Sequence, residues 1–350
     1  MFTKKGIIYD YIYPRIKDNI IKSPELNNLY DFFSNVEVLP FEEISTSFFK
    51  EKFKAKYELS YASENIKEKI QNYTMKYSFI LKFSSYIITV NIYSDTKVLN
   101  ANFLHELKKY IQFTISIYPI KTNITINYHL SDEKKMIHKK GILTKNNVNS
   151  GSCMITSDHS VINIWRKEEI LKVTVHELFH ALKNDCYNDN ERIIQHFTSK
   201  YNISSTKINT HEAYTEIWAN LINCFLISQK YNNENKKVFR ELVTIEKFYS
   251  IFQAQKVLFN SLTKKGVNND KNTNVTAYFL IRAELYQRLN AFLKFCRLNN
   301  GNYVKIKNTE NWLVFLKSKN KIKRNTIFKG EKGYLFKNLR MTILELNLLN

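Results

Sequence analysis

The stretch VTVHELFHAL (173–182) places two histidines, His176 and His180, four residues apart, with Glu177 directly after the first. On an α-helix, residues four apart share one face, so both imidazoles are expected to project from the same side. That spacing suits two nitrogen ligands of one tetrahedral metal ion. Glu177 is rotated by about 100° around the helix axis. It would therefore lie beside the ion, where a carboxylate can act as general base on metal-activated water.

The remaining positions of this stretch predict a buried helix, because most of them are apolar: Val173, Val175, Leu178, Phe179 and Leu182. Two imidazoles and a carboxylate are costly to bury without partners, and a metal ion removes that cost. The pattern HExxH is nevertheless short, and we expect it by chance in about one chain in a hundred of this length. The sequence contains a matched decoy in FLHELKKY (103–110), where Lys109 replaces the second histidine. We interpret His105 and Glu106 as a pair on a helix surface.

A third ligand is needed, because a catalytic zinc site has three protein ligands and an open fourth position. Downstream, THEAYTEIWANL (210–221) carries Glu212 and Glu216, again four residues apart. One of the two can bind the ion, while the other can accept a hydrogen bond from a ligand imidazole. The alternative is an exposed acidic face, but neighbours such as Trp218 and Leu221 favour a mostly buried helix.

HELFH followed by ExxxE resembles the gluzincin class of zinc peptidases, which includes thermolysin-like enzymes and the anthrax lethal factor family. The resemblance implies that His176, His180 and Glu212 bind Zn²⁺, that Glu177 is the base, and that Glu216 supports a ligand histidine. Residues 149–290 also resemble metallopeptidase-like proteins of large eukaryotic DNA viruses. A zinc-dependent metallopeptidase acting on a peptide or protein substrate is the function this implies, as an endopeptidase rather than an exopeptidase.

Other parts of such a site are assigned by resemblance and chain order. SVINIW (160–165) is expected to be the edge strand that pairs with an extended substrate. Tyr278, in TNVTAYFLIRAELY (273–286), is the first choice for stabilising the oxyanion, with His211 and Tyr214 as rivals. Packing in the core is the alternative role for each of the three. His159 and His196 are interpreted as surface or loop residues.

The order of elements predicts an α+β fold with a helical second half. A β-hairpin over 77–93 turns at Ser84 and Ser85, and a helix over 101–118 and a strand over 123–130 follow it. An exposed loop is expected over 131–152, and RKEE (166–169) is expected to start the HExxH helix. Further helices are predicted over 189–200, 207–231, 234–262 and 275–298.

The resemblance adds a zincin-like arrangement, in which a mixed or antiparallel N-terminal sheet packs on the HExxH helix. The expected division is an N-terminal mixed segment (1–70), a catalytic core with the zinc ligands (71–232) and a helical C-terminal subdomain (233–350).

The formal net charge of +21 raises the alternative of a basic nucleic-acid-associated protein. Only nine of the 53 basic residues are arginine, the residue best suited to bidentate phosphate and base recognition. The Asn, Ile, Lys and Tyr content is typical of AT-rich coding. We therefore expect weak nonspecific attraction to polyanions rather than specific nucleic-acid binding, although KSKNKIKR (317–324) is a local basic cluster.

The four cysteines form no CxxC pair, which favours a reducing compartment. The first 18 residues mix charged with apolar side chains, unlike a signal peptide, and no stretch suits a membrane span. The expectation is a soluble cytoplasmic protein, in the host cytoplasm or the virion if the source is viral. A second alternative is a noncatalytic structural or virion-associated protein whose helix pair zinc stabilises.

Overall fold

The computed structural model describes residues 14, 18–50, 59–95, 100–119, 122–137, 141–203, 208–231, 234–263, 266–267, 273–323 and 333–346. Most of the N-terminal segment compared above with a signal peptide lies outside these residues, as does Arg324 of the basic cluster. The chain forms two compact units. The sheet unit comprises the described residues of 36–134 and 149–184, and the helical unit those of 1–35, 135–148 and 185–346. The three-part division expected from the sequence stays a prediction.

Ten strands occur in the described residues. They are β1 (Glu42–Lys50), β2 (Met75–Lys82), β3 (Ile87–Ser94), β4 (Asn123–Ser131), β5 (Gly151–Ile155), β6 (His159–Arg166), β7 (Leu262–Thr263), β8 (Gly266–Val267), β9 (Asn300–Gly301) and β10 (Lys305–Ile306).

Twelve α-helices and one π-helix occur in the same residues. The α-helices are α1 (Pro24–Ser34), α2 (Glu64–Gln71), α3 (Ala101–Ile117), α4 (Lys145–Val148), α5 (Ile170–Ala181), α6 (Glu191–Tyr201), α7 (Thr210–Ser228), α8 (Asn235–Ser261), α9 (Arg282–Gln287), α10 (Leu289–Asn299), α11 (Thr309–Leu316) and α12 (Tyr334–Lys337). The π-helix spans Thr276–Ile281. The protein is therefore a mixed α+β protein, as the sequence predicts. None of the described helices combines the length and the apolar composition needed to cross a membrane.

The sheet unit contains a six-stranded mixed sheet in the order β1-β2-β3-β4-β6-β5. Antiparallel pairs lie at both ends, while β3, β4 and β6 run parallel in the middle. The predicted hairpin is confirmed as β2 and β3, and its turn is closed by a hydrogen bond from the Phe83 N–H to the Tyr86 carbonyl. Helix α3 connects β3 to the parallel β4, as parallel pairing requires a long crossover.

A row of buried amides crosses the middle of this sheet. Asn91 on β3 donates to Asn127 on β4 over 2.9 Å, and Asn127 donates to Asn163 on β6 over 3.1 Å. The three residues are direct register partners, and Ser78 on β2 extends the row with a 2.8 Å bond to Asn91. Each asparagine side chain therefore provides a hydrogen-bond partner for the next one in a region that excludes water. These hydrogen bonds offset the cost of burying the amides.

The two faces of the sheet bury different elements. On one face, Trp165 and Tyr93 pack in an apolar cluster with residues of α2. Helix α5 contacts α3, β5 and β6, and the Tyr128 hydroxyl of β4 lies 2.9 Å from the Thr174 hydroxyl of α5. The HExxH helix therefore packs directly on the sheet.

The start of the HExxH helix differs from the expectation. The helix begins at Ile170, and Glu169 precedes it in a left-handed conformation with φ of 62°. Glu168 and Glu169 are each only 2% exposed, so they belong to a buried turn after β6 rather than to a first helical turn. The expected loop over 131–152 was also wrong in part, because Ser131, Leu143, Val148 and others in it are buried.

The helical unit confirms three predicted helices as α6, α7 and α8. The single helix expected over 275–298 is broken into the π-helix, α9 and α10. Polar groups buried on α8 hold the C-terminal segment: Tyr249 and Gln253 both donate to the Asn338 side-chain oxygen, and Lys256 donates to the carbonyls of Leu335 and Asn338.

We expect His129 on β4 to make the folded state sensitive to mild acid. Its ring stacks on Tyr93 with no solvent exposure, and burial lowers the pKa of His129 to about 3. An unfolded-state histidine titrates near 6.5, so only the unfolded chain gains a proton as the pH falls below that value. Between pH 7 and pH 5 this linkage lowers the free energy of unfolding by about 2 kcal/mol, and the decrease continues down to about pH 3.

Denaturant unfolding measured at pH 7 and pH 5 tests this, with His129→Phe as the variant. The wild type should lose more stability than the variant between the two values. The same loss in both proteins would contradict the assignment to His129.

Candidate metal centre

The two histidines of the HExxH helix lie together on one face of α5. The Nε2 atoms of His176 and His180 are 3.1 Å apart, and the rings meet edge to face. Two nitrogens bound to one tetrahedral zinc at about 2.0–2.1 Å lie about 3.3–3.4 Å apart, so this spacing fits a shared ion. His176 is 6% exposed, and the side chain of His180 is half-buried. The spacing also suits a hydrogen bond between two neutral rings, which metal analysis would distinguish.

Glu177 lies beside the histidine pair and against the start of β5. It is 5% exposed. A Cβ added to Gly151 would lie 2.5 Å from Glu177 Oε1 and 2.9 Å from its Cδ. A side chain at position 151 would therefore displace the Glu177 carboxylate from this position, because real Cβ atoms essentially never approach other heavy atoms below 3.0 Å. Nothing in the sequence alone assigned Gly151 a role.

Glu212 stands in the first turn of α7, and its side chain is 13% exposed. Asn274 donates to Glu212 Oε1 over 2.9 Å, and Asn209 donates to the Asn274 side-chain oxygen over 2.6 Å. His211 Nε2 lies 3.8 Å from the same Glu212 oxygen. The side-chain amides of Asn274 and Asn209 therefore hold the Glu212 carboxylate in place. The sequence alone did not indicate these contacts.

His176 and His180 of the sheet unit each offer a ring nitrogen, and Glu212 of the helical unit offers a carboxylate oxygen, so these three residues are the candidate metal ligands. Imidazole nitrogen and carboxylate oxygen are the donors of hydrolytic zinc sites. The donor set and the 3.1 Å spacing of the two Nε2 atoms therefore fit zinc.

Glu216 lies one turn after Glu212 and is paired with an arginine. Arg282 donates to Glu216 Oε1 over 3.0 Å, and the two side chains are 0% and 1% exposed. Arg282 also donates to the Ser250 hydroxyl and to the Met341 carbonyl. The expected hydrogen bond between Glu216 and a ligand histidine stays a prediction.

The candidates for oxyanion stabilisation differ in their surroundings. Tyr214 is fully buried, and its hydroxyl donates to the Val304 carbonyl, which matches the packing alternative. Tyr278 lies half-buried in the π-helix, where its N–H donates to the Asn274 carbonyl. His211 is partly exposed and lies edge-on to Tyr187. Tyr278 and His211 stay open as predictions.

Three other sequence expectations need correction. SVINIW forms most of β6, which pairs with β4 and β5 and is therefore an inner strand, so β5 is the edge strand at this end of the sheet. Of the two alternatives expected for His196, surface or loop, the loop is wrong, because the residue lies half-buried on α6. In the decoy, His105 is exposed as expected, but Glu106 is buried.

Comparisons with protein families, with characterised proteins and with solved structures find no match to this chain.

We expect Gly151→Ala to destabilise the protein by about 1–3 kcal/mol, because the new methyl group collides with Glu177. Gly333→Ala is the matched control, since a Cβ at Gly333 meets nothing within 4 Å. It should change stability by less than about 1 kcal/mol. Denaturation midpoints measure both variants. Equal effects would mean that the contact between Gly151 and Glu177 does not constrain the fold.

Proposed function

We propose that the protein is a zinc-dependent metallopeptidase. The observation that carries the proposal is the His176–His180 pair, whose Nε2 atoms are 3.1 Å apart and which the buried Glu177 flanks. In the proposal, His176, His180 and Glu212 bind Zn²⁺, and Glu216 holds a ligand histidine through a hydrogen bond. A zincin-like fold, a relationship to the gluzincins and to viral metallopeptidases, and a cytoplasmic location belong to the same proposal.

When bound, zinc would supply a Lewis acid that activates water and polarises a carbonyl. The carboxylate of Glu177 accepts a proton from the attacking water and passes it to the leaving amine nitrogen. Gly151 leaves the space in which this carboxylate lies. A donor such as Tyr278 or His211 would stabilise the oxyanion that forms during attack.

The substrate in this proposal is an extended peptide segment held along β5. An edge strand offers unpaired backbone groups to a peptide, and side-chain pockets then supply selectivity. Strand β5 starts at Gly151 beside Glu177, and its last two residues, Met154 and Ile155, are 55% and 42% exposed. A peptide paired along this strand runs past the proposed base, which favours cleavage within a chain over removal of terminal residues.

The mechanism predicts different effects for the base and the ligands. Glu177→Gln should keep about one zinc per chain and lose hydrolysis by at least about 100-fold, because the amide cannot accept the proton. His176→Ala should lose both zinc and hydrolysis, because only two ligands remain. Metal analysis and cleavage of casein or a peptide library measure these effects, with His105→Ala as the control that retains both.

Hydrolysis that survives Glu177→Gln would disprove the mechanism. A wild type that binds zinc but cleaves nothing would favour the structural-zinc alternative. A wild type without zinc would exclude both.

Asn274 is expected to position Glu212 for metal binding. Asn274→Ala removes the 2.9 Å bond to Glu212 Oε1 and should weaken zinc affinity by about 10- to 100-fold. Asn311→Ala, on the exposed side of α11, should leave the affinity unchanged. Competition with a zinc chelator measures both variants. If zinc binds equally well to both, Asn274 has no positioning role, whatever the fate of the peptidase proposal.

A further inference from the structure

The helical unit contains a basic groove that the proposed peptidase does not use. It is lined by His196 and Lys200 of α6 and by four residues that follow α11: Lys317, Ser318, Lys319 and Lys321. Its volume is about 480 Å³, within the range of small-molecule sites, roughly 300–1,000 Å³. Three of its four lysines, Lys317, Lys319 and Lys321, come from KSKNKIKR, which was described above only as a local basic cluster. We call this feature the lysine groove.

The lysine-rich segment is tied to α6 at two points. Lys200 Nζ donates to the Ser318 carbonyl over 2.9 Å, and the Ile322 N–H donates to the Tyr201 hydroxyl over 3.1 Å. Ile322 is 1% exposed, so an apolar anchor follows the three groove lysines. These bonds hold the backbone that carries the ammonium groups. Hydrogen bonds between α6 and the lysine-rich segment therefore hold the groove in a defined conformation.

The charges in the groove are unbalanced. Lys200, whose side chain is 8% exposed, donates to the buried Glu284 over 2.6 Å, and Tyr201 also donates to that carboxylate. Among the ion pairs of the described residues, none involves Lys317, Lys319 or Lys321. One carboxylate thus faces several cations, and an anion entering the groove would meet a strongly positive potential.

His196 and Arg288, near the lysines, each have side-chain nitrogens that could form a further hydrogen bond. The buried Nε2 of His196 has no hydrogen-bond partner among the described residues, and the same holds for Nε and Nη2 of Arg288. Arg288 uses Nη1 to donate to the Phe315 carbonyl. Burial lowers the pKa of His196, and the charges of Lys200, Lys317 and Arg288 lower it further, while a hydrogen bond with the Ser318 backbone opposes them.

We propose that the lysine groove binds a small phosphate-bearing anion. Lysine ammonium groups bind phosphate oxygens as compact point charges, and several of them side by side suit the multiple negative charges of a phosphate-bearing anion. The groove is open to solvent, and its volume of about 480 Å³ is the size of a site for a free polyphosphate or a nucleotide. A nucleic-acid duplex needs a larger surface, with an interface of about 600–1,000 Å² or more. The binding site is independent of the metallopeptidase proposal, because it uses none of the same residues.

The test is isothermal titration calorimetry on the full chain at physiological salt. The probes are inorganic phosphate, tripolyphosphate, ATP and a short single-stranded DNA. Lys319→Gln with Lys321→Gln removes two groove charges. Lys294→Gln with Lys307→Gln is the control, because both residues are exposed, both lie outside the groove, and the net charge of the two double variants is equal.

The groove variant should bind tripolyphosphate or ATP at least about tenfold more weakly than the wild type, through the loss of charge-assisted hydrogen bonds. The control variant should stay within about twofold, since bulk charge contributes little at this salt. Preference for tripolyphosphate or for ATP then identifies the source of the phosphate.

Three results would overturn the proposal. Equal weakening in both double variants would mean that only net charge attracts the anion. Absence of binding by all phosphate probes would mean that the groove is not a phosphate site. Groove-dependent binding of the DNA alone would assign it to a nucleic-acid backbone instead of a small molecule.

Discussion

Asn91, Asn127 and Asn163 occupy equivalent register positions on three parallel strands, and each amide bonds the next. A slip of one residue would turn these amides to the other face of the sheet and leave buried polar groups unsatisfied, at about 1–3 kcal/mol each. The row therefore fixes the register of β6. Because β6 pairs with β5 and leads into α5, that register also determines where Gly151 meets Glu177. The geometry of the proposed base thus depends on amides in the middle of the sheet.

Acidic residues of the helical unit are held in place by hydrogen bonds and an ion pair within that unit. An unpaired buried carboxylate would be strongly destabilising, and Glu216 avoids this by pairing with Arg282, which Ser250 and the Met341 carbonyl hold from two other segments. At the start of α7, Asp189 accepts a hydrogen bond from the Thr210 N–H over 2.8 Å. Asn274 then fixes Glu212 from the segment just before the π-helix. The π-helix begins two residues after Asn274, and π-helical turns are frequent at functional sites.

Periodicity in the sequence predicted the hairpin, the α3–β4 unit and three helices of the second half, because those elements carry strong local patterns. It missed β5, because GSCMI is five residues long and is identified as a strand only by its pairing with β6. It also misread Glu168 and Glu169, since a buried turn overrides the helix-dipole preference that their charge suggested. For the candidate site, spacing alone indicated His176, Glu177 and His180 and left Glu212 and Glu216 as alternatives for the third ligand. The gluzincin resemblance then assigned that role to Glu212. Gly151 and Asn274 could not be found in this way, because their roles arise from contacts between distant parts of the chain.

In the proposed function, Glu177 is the residue that separates a catalytic metal site from a purely structural one. Its neighbours Val175, Leu178 and Phe179 are completely buried and apolar, as expected of a helix packed on a sheet. In the metallopeptidase proposal this carboxylate is the general base, whereas a zinc site that only stabilises the fold needs no acid at position 177. The start of β5 matches the proposed role, because a Cβ at Gly151 would lie 2.5 Å from Glu177 Oε1 and would displace the carboxylate. Under the proposal, Glu177 supplies the base, and Gly151 leaves the space in which that base lies.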